Sequence, residues 1–308
     1  MFTAREILYT AAVPAAVALA VLLASWRPWR RGTRVSTRGH WGGALGAGLA
    51  FTAGFALLDG RVPPWPPEES RQWLFYFAAA LTVVALVDAV VRAWLPAAAW
   101  LRPEAALLLS AAAVFYLFRS MLQSEAWTAV EAGCRLLVMV VVLHAAWTFT
   151  ELLVLRLPRP AGPLVLSAFA GAVAMVLMLS GSVVYGRLAG ILAITPLAAA
   201  AVAPAAPGFS FARGGVTVIV PTAVAILFLG RFYVDPGVSV TNAALLLAGL
   251  VLPWAAAVPP LRRRRPWVRT TAALLLVLVP TATAVVRAQR DFVRMSGVEG
   301  EQSAPGAL

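Results

Sequence analysis

The feature that most constrains this chain is a series of uninterrupted apolar stretches, each about 20 residues long. Short links rich in Arg or Pro separate them, such as the link RPWRRGTRVSTR that begins at Arg27. A helix rises about 1.5 Å per residue, so a stretch of this length crosses a hydrocarbon core of roughly 30 Å. The apolar residues are continuous and do not alternate with polar ones, which excludes a transmembrane β-barrel. The sequence therefore predicts an all-α, polytopic integral membrane protein.

The composition leaves no room for a soluble domain. Of the 308 residues, 61% are hydrophobic and 12% are charged, and the mean hydropathy is +0.83. A soluble domain carries about twice that charged fraction, roughly 25%. Because the surface of a soluble fold must stay hydrated, a chain this apolar could not cover itself with polar side chains.

Ten transmembrane helices are predicted, with bounds near 7–26, 41–59, 74–95, 103–119, 135–156, 163–181, 184–204, 214–232, 239–258 and 268–287. Residues 1–295 then form one transmembrane domain, with possible halves at 1–160 and 161–295, and residues 296–308 form a disordered tail. With five helices in each half, the two halves would be inverted relative to the membrane.

The arginines predict the orientation of the helices. Arg-bearing links follow the first, third, fifth, seventh and ninth helices, so all five lie on one side if the count is ten. The positive-inside rule makes that side cytoplasmic and puts both termini outside, together with Arg287, Arg290 and Arg294. Apart from His, every basic residue is Arg, which is typical of a GC-rich bacterial genome. The sequence thus predicts a protein of the bacterial cytoplasmic (inner) membrane.

The net charge of +12 is interpreted as a topology signal. Most of the arginines lie in short links beside apolar stretches, and no soluble module exists that could present a basic face to a nucleic acid. The predicted partners are therefore the lipid bilayer and, at the Arg-rich links, anionic phospholipid headgroups; no nucleic acid is predicted.

The sequence contains no signature of catalysis or of metal binding. There is no HExxH, no Walker sequence, no GxGxxG after a strand and no plausible Ser-His-Asp set. Cys134 is the only cysteine, which excludes an internal disulfide, and its place at the start of an apolar stretch predicts a small buried residue. His40 and His144 are the only histidines and fall at different levels of the topology. No cofactor and no metal are predicted, and an enzyme is disfavoured.

Charged side chains within or beside the predicted spans are the first functional candidates, because a polar group in hydrocarbon is costly. Asp88 and Arg92 are four residues apart and share a helix face, so they can form an ion pair near the cytoplasmic surface. Glu104, Glu151 and Arg156 fall at the same depth on the next two helices. The five residues are predicted to form one charged layer, in which opposite charges pair or line an inward-facing cavity.

Three further polar residues complete the candidate set. His144 lies near the middle of the fifth helix, where it could relay protons or hydrogen-bond a neighbouring helix as a neutral imidazole. Arg187 begins the seventh helix on the external side, where it could meet an anionic group or anchor the hairpin. Asn242 begins the ninth helix at the same level. The predicted substrate or ion pathway comprises Asp88, Arg92, Glu104, His144, Glu151, Arg187 and Asn242.

Two pairs of glycines are spaced for close packing between helices. Gly42 and Gly46 form one pair, and Gly186 and Gly190 form the other. Small residues four apart allow two membrane helices to approach closely, so both pairs are interpreted as packing contacts.

Three functions are compatible with these features. The size, the ten spans and the sparse intramembrane charges favour a secondary transporter of a small solute or a lipid-related molecule. An alternative is a membrane-embedded enzyme acting on a lipid-linked substrate, which would need at least two of Asp88, Glu104 and Glu151 around one pocket. A second alternative is a non-catalytic membrane subunit or scaffold, whose polar residues serve folding and partner contacts.

Overall fold

The computed structural model describes residues 8–26, 38–94, 101–124, 126–205 and 211–302. Over these ranges the chain is all-α, without a strand, and contains ten helices that are long and apolar enough to cross a membrane. The predicted fold class is confirmed, and the protein is a multi-pass membrane protein.

The helices are α1 (Leu8–Trp26), α2 (Arg38–Asp59), α3 (Trp73–Trp94), α4 (Leu101–Gln123), α5 (Ala129–Arg156), α6 (Ala161–Leu179), α7 (Val183–Val202), α8 (Gly215–Phe232), α9 (Val240–Val251) and α10 (Pro266–Gln302). A 3-10 turn, Leu252–Ala257, extends α9, and a short helix, Pro259–Arg262, precedes α10. Helix α10 continues to Gln302, into the segment predicted as a tail; residues 303–308 lie outside the described ranges.

The two ends of the bundle differ in side-chain chemistry. At one end, Arg102 at the start of α4 forms ion pairs with Asp88 near the end of α3 and Glu151 near the end of α5. At the other end, Tyr233 after α8 hydrogen-bonds Ser70 before α3. We call the first the arginine end and the second, which carries most of the Trp and Tyr ring contacts, the aromatic end. These contacts agree with ten helices that alternate in direction.

Helix α8 is the most enclosed of the ten. Every residue from Gly215 to Gly230 is buried, and 83% of its spanning window lies inside the protein, against 17% for α1. It packs against all six of the helices α2 to α7. Its sequence, GVTVIVPTAVAILFLG over 215–230, has no charged residue and is apolar on every side, as expected of a helix without a lipid-facing surface. Helix α8 is therefore the axis of the bundle.

Helices α6 and α7 are joined by a very tight turn at the aromatic end. Gly181 has a φ of +94°, in the left-handed region that glycine adopts without strain. The N–H of Ser182 donates to the carbonyl of Leu177, and the Ser182 hydroxyl accepts from the N–H of Tyr185. The turn thus caps the end of one helix and the start of the next, which holds the two helices antiparallel and in close contact.

Three of the four predicted glycine contacts are present. Gly42 and Gly46 face α1, and a Cβ on Gly42 would lie 2.1 Å from the hydroxyl oxygen of Ser25. A Cβ on Gly186 would lie 2.3 Å from Cγ of Met178 in α6. A Cβ on Gly190 would have no neighbour within 4 Å in the described part of the chain, so the second pair contributes one close contact rather than two.

Cys134 is exposed, and the prediction that it is buried was wrong. Helix α5 starts at Ala129 rather than near residue 135, so Cys134 falls in its second turn, on an exposed face of the helix. Thr128 caps this start through a capping box with Glu131. The sequence TAVE at 128–131 carries the capping-box pattern and was the signal for the earlier start.

Candidate functional site

Four charged side chains form an ion network at the arginine end: Asp88, Arg92, Arg102 and Glu151. Nε of Arg92 lies 2.9 Å from Oδ1 of Asp88, one turn earlier in α3. Arg102 lies with Nη1 3.2 Å from the other oxygen of Asp88, and with Nη2 2.5 Å from Oε2 of Glu151 in α5. The four side chains are between 13% and 21% exposed. The predicted Asp88–Arg92 pair is present, and it belongs to a network that joins three helices.

Arg102 also binds the start of α8. Its Nη2 donates to the carbonyl oxygen of Arg213 at 3.3 Å and to the hydroxyl oxygen of Thr217 at 3.2 Å. The Thr217 hydroxyl in turn donates to the same carbonyl at 2.6 Å. One guanidinium, with its five fixed donors, therefore links the ends of α3 and α5 to the starts of α4 and α8. Sequence reasoning missed Arg102 as a site residue, although its place just inside a helix start allows it to reach back into the bundle.

Positive charge exceeds negative charge around the network. The carboxylates of Asp88 and Glu151 face three guanidinium groups, because Arg213 acts electrostatically on Arg102 and Glu151 in addition to Arg92. Among the described residues, Arg213 has no carboxylate within ion-pair distance, and its buried Nε has no hydrogen-bond acceptor. The region therefore keeps one cation in excess.

Two residues of the predicted charged layer lie outside the network. Glu104 is exposed, and within the described ranges it forms no ion pair. Arg156 is exposed and places its guanidinium over the ring of Trp254, at 4.7 Å from the centroid. Both residues lie at the arginine end of the bundle. Glu104 is two positions after Arg102, about 200° around the helix, so it points away from Arg102.

The imidazole of His144 has one nitrogen without a hydrogen-bond partner among the described residues. The residue is half-buried in α5, and its buried Nδ1 forms no hydrogen bond within the described part of the chain. The possible hydrogen bond to a neighbouring helix is therefore absent at Nδ1. His144 also does not line the polar pocket described next.

A polar pocket of about 370 Å³ opens at the aromatic end. It lies between the ends of α6, α8 and α10 and the start of α9. Its polar lining residues are Ser180, Arg231, Ser239, Asn242 and Asp291. Arg231 and Asp291 form no ion pair in the described structure, so a cation and an anion remain available at this pocket.

Asn242 places a buried amide at the pocket. The residue is only 2% exposed, yet its side-chain oxygen has no donor among the described residues. The cap of α9 does not depend on this amide, because the backbone N–H of Asn242 donates to the Ser239 hydroxyl at 3.2 Å. A buried acceptor without a donor costs about 1–3 kcal/mol. A bound solute with an N–H or O–H group would remove that cost.

Arg187 lies at the aromatic end, in the second turn of α7. It is half-buried and does not line the polar pocket. Of the two residues predicted at this level, Asn242 is thus part of the pocket and Arg187 is not.

A hydrogen-bonded junction around Tyr233 closes the neighbouring part of the aromatic end. The Tyr233 hydroxyl lies 2.6 Å from Ser120 Oγ, donates to the Leu117 carbonyl at 3.0 Å and accepts from Ser70 at 3.0 Å. The junction joins α4 and α8 to the segment before α3. Its residues are far apart in the chain and form no motif, so the sequence offered no signal for it.

The described residues contain no group of three or more His, Cys, Asp or Glu side chains that could hold a metal ion. No family model, no curated protein and no solved structure matches the chain. Its function is therefore inferred from its own side chains.

Proposed function

We propose that the protein is a secondary transporter of a small polar solute. The observation that carries the proposal is the contrast along α8: the polar pocket lies beside its last turn, and the ion network binds its first turn. In alternating access, a site is open to one side while the other side is closed. The ion network is the closed gate in this account, and the pocket is the open entrance to the solute site.

The chemistry of the pocket suggests the kind of solute. Asn242 and Asp291 offer oxygen acceptors to an amine or hydroxyl group, and Arg231 offers donors to a carboxylate or another anionic group. A solute of amino-acid-like polarity would use both kinds of group. The volume of about 370 Å³ is in the range of small-molecule sites.

The charge distribution supports a cytoplasmic arginine end. When each residue is assigned to the nearest helix end along the sequence, the arginine end carries fifteen of the 25 arginines and three of the 13 acidic residues. The whole net charge of +12 then belongs to that end, and the aromatic end is neutral. The positive-inside rule accordingly favours both termini outside, in a bacterial cytoplasmic membrane.

A static scaffold is the second candidate, because a network in which both carboxylates are paired also suits a rigid membrane subunit. The enzyme alternative has less support. Asp88 and Glu151 share Arg102 as a partner, and neither lines the polar pocket. Transport and scaffolding differ in whether solute crosses the bilayer.

Uptake into vesicles tests the proposal. The full chain is reconstituted into proteoliposomes and incubated with a mixture of amino acids, sugars, nucleosides and organic acids, and the lumen is analysed by mass spectrometry. We expect at least one solute to enter faster than into protein-free vesicles. Asn242→Leu, which keeps the size but removes the acceptor, should lower that uptake about tenfold, the equivalent of one lost hydrogen bond.

Thr241→Leu is the matched control, because Thr241 is the exposed neighbour of Asn242 on the same helix. It should keep uptake within about twofold of the unmodified protein. If no solute enters above the protein-free rate, the transporter proposal is wrong and the scaffold is favoured. An equal loss of uptake in the two variants would show that Asn242 has no specific role in binding the solute.

A further inference from the structure

A second group of arginines at the arginine end surrounds a cavity that the transport proposal does not use. The cavity measures about 670 Å³ and lies between the end of α5 and the turn that follows α9. Its lining residues are Arg156, Trp254, Ala257, Val258, Pro259 and Arg263. It thus combines two guanidinium groups with an apolar wall.

The position of Arg156 is fixed on two sides. Its guanidinium lies over the indole of Trp254 at 4.7 Å from the ring centroid, a cation–π contact. Its backbone carbonyl accepts a hydrogen bond from Nη2 of Arg269, near the start of α10. The second contact ties α10 to α5 and brings a third arginine next to the cavity.

The arginines here have no acidic partner. Within the described residues, Arg156, Arg263 and Arg269 form no ion pair. Two buried donors in this group, the indole N–H of Trp254 and Nε of Arg269, also lack acceptors there. Buried donors are normally satisfied, so unpaired cations beside unsatisfied donors form surroundings that an anion would fit.

We propose that this cavity binds the phosphate group of an anionic membrane lipid. Phosphate accepts several charge-assisted hydrogen bonds at once, and arginine forks match its geometry. The wall of Ala257, Val258 and Pro259 suits the glycerol and the first methylenes of a lipid better than a free ion. Trp254 at the same level fits the membrane interface, where indole rings concentrate. The site uses none of the residues assigned to gating or to the solute pocket, so it stands apart from the transport proposal.

Lipid titration tests the proposal. The protein is purified in a neutral detergent, and short-chain phosphatidylglycerol is added while bound lipid is counted by native mass spectrometry. We expect one lipid to bind before the others, and Arg156→Ala and Arg263→Ala each to weaken that first step about tenfold. Arg156→Lys keeps the charge but loses the planar guanidinium. Its affinity for the first lipid should therefore be intermediate between that of the unmodified protein and that of Arg156→Ala.

Arg135→Ala is the matched control. Arg135 lies near the opposite end of α5 and also stacks on an indole, that of Trp127 at 5.0 Å, but Glu131 is 3.8 Å away. It should leave the first binding step unchanged. Equal weakening by Arg135→Ala would mean that the lipid responds only to overall charge, and unchanged binding in Arg156→Ala would contradict the site directly.

Two further probes identify the source of the phosphate. Inorganic phosphate at millimolar concentration should not displace the lipid if the apolar wall contributes, and phosphatidylcholine should bind more weakly because its choline cation meets the arginines. Displacement by inorganic phosphate alone would assign the cavity to a free phosphate ion. Binding of neither phosphatidylglycerol nor inorganic phosphate would overturn the proposal.

Discussion

Two groups of arginines at the same end of the molecule have opposite surroundings. Arg102 lies among two carboxylates, a carbonyl and a hydroxyl, and its side chain is 13% exposed. Arg156 lies on an indole beside a cavity, with no carboxylate within ion-pair distance in the described chain. One residue type thus has two kinds of surroundings: Arg102 uses its donors to link helices, whereas Arg156 has no carboxylate partner among the described residues.

The largest expected effect is that of Arg102→Ala, which leaves Asp88 and Glu151 without their shared partner. Removing one side of a largely buried ion pair costs about 3 kcal/mol, so a drop of several degrees in the midpoint of thermal unfolding in detergent is expected. Neutralising all four side chains of the network, with Asp88→Asn, Arg92→Gln, Arg102→Met and Glu151→Gln together, should recover most of the loss. If Arg102→Ala unfolds at the same temperature as the unmodified protein, the network does not hold the helices together.

Arg92→Ala should have a smaller effect, about 1 kcal/mol or less, because Asp88 keeps Arg102 and the Arg92 side chain is 21% exposed. The same thermal measurement applies. A loss as large as that of Arg102→Ala would show that the pair within α3 contributes as much stability as the links between helices.

Arg156→Ala should change thermal stability least when no anionic lipid is present, by about 0.5 kcal/mol for the lost cation–π contact. Addition of short-chain phosphatidylglycerol should then stabilise the unmodified protein more than the variant. A large loss of stability without lipid would mean that Arg156, like Arg102, stabilises the fold. The two groups of arginines would then not differ in their roles.

The two groups of arginines should also differ in their response to salt concentration. Raising NaCl to about 0.5 M shortens the Debye length to roughly 4 Å, so it should weaken lipid binding at the exposed Arg156. The stability difference between Arg102→Ala and the unmodified protein should barely change, because the network is largely enclosed. Thermal unfolding and lipid titration at low and high salt provide the check.

The membrane fold could be predicted from the sequence because helix length, apolarity and the positions of the arginines are local properties of the chain. The pair Asp88–Arg92 was predictable for the same reason, since its spacing lies within one helix. The bond from Arg102 to Glu151 and the polar pocket around Asn242 depend on which helices are neighbours, and no pattern in a single sequence gives that. Glu104 shows the limit most clearly: it lies at the same end of the bundle as the network, but its helix face points away from it.

In the proposed transport cycle the ion network is a gate, and Thr217 is placed to report its opening. Thr217 is 1% exposed and hydrogen-bonds Arg102. The measurement is the rate at which a membrane-impermeant maleimide, added at the arginine end, alkylates a Thr217→Cys variant that also carries Cys134→Ser. We expect slow alkylation at rest and a rate about tenfold higher with the solute identified by uptake, because transport populates the open gate. Equal rates with and without that solute would contradict the account.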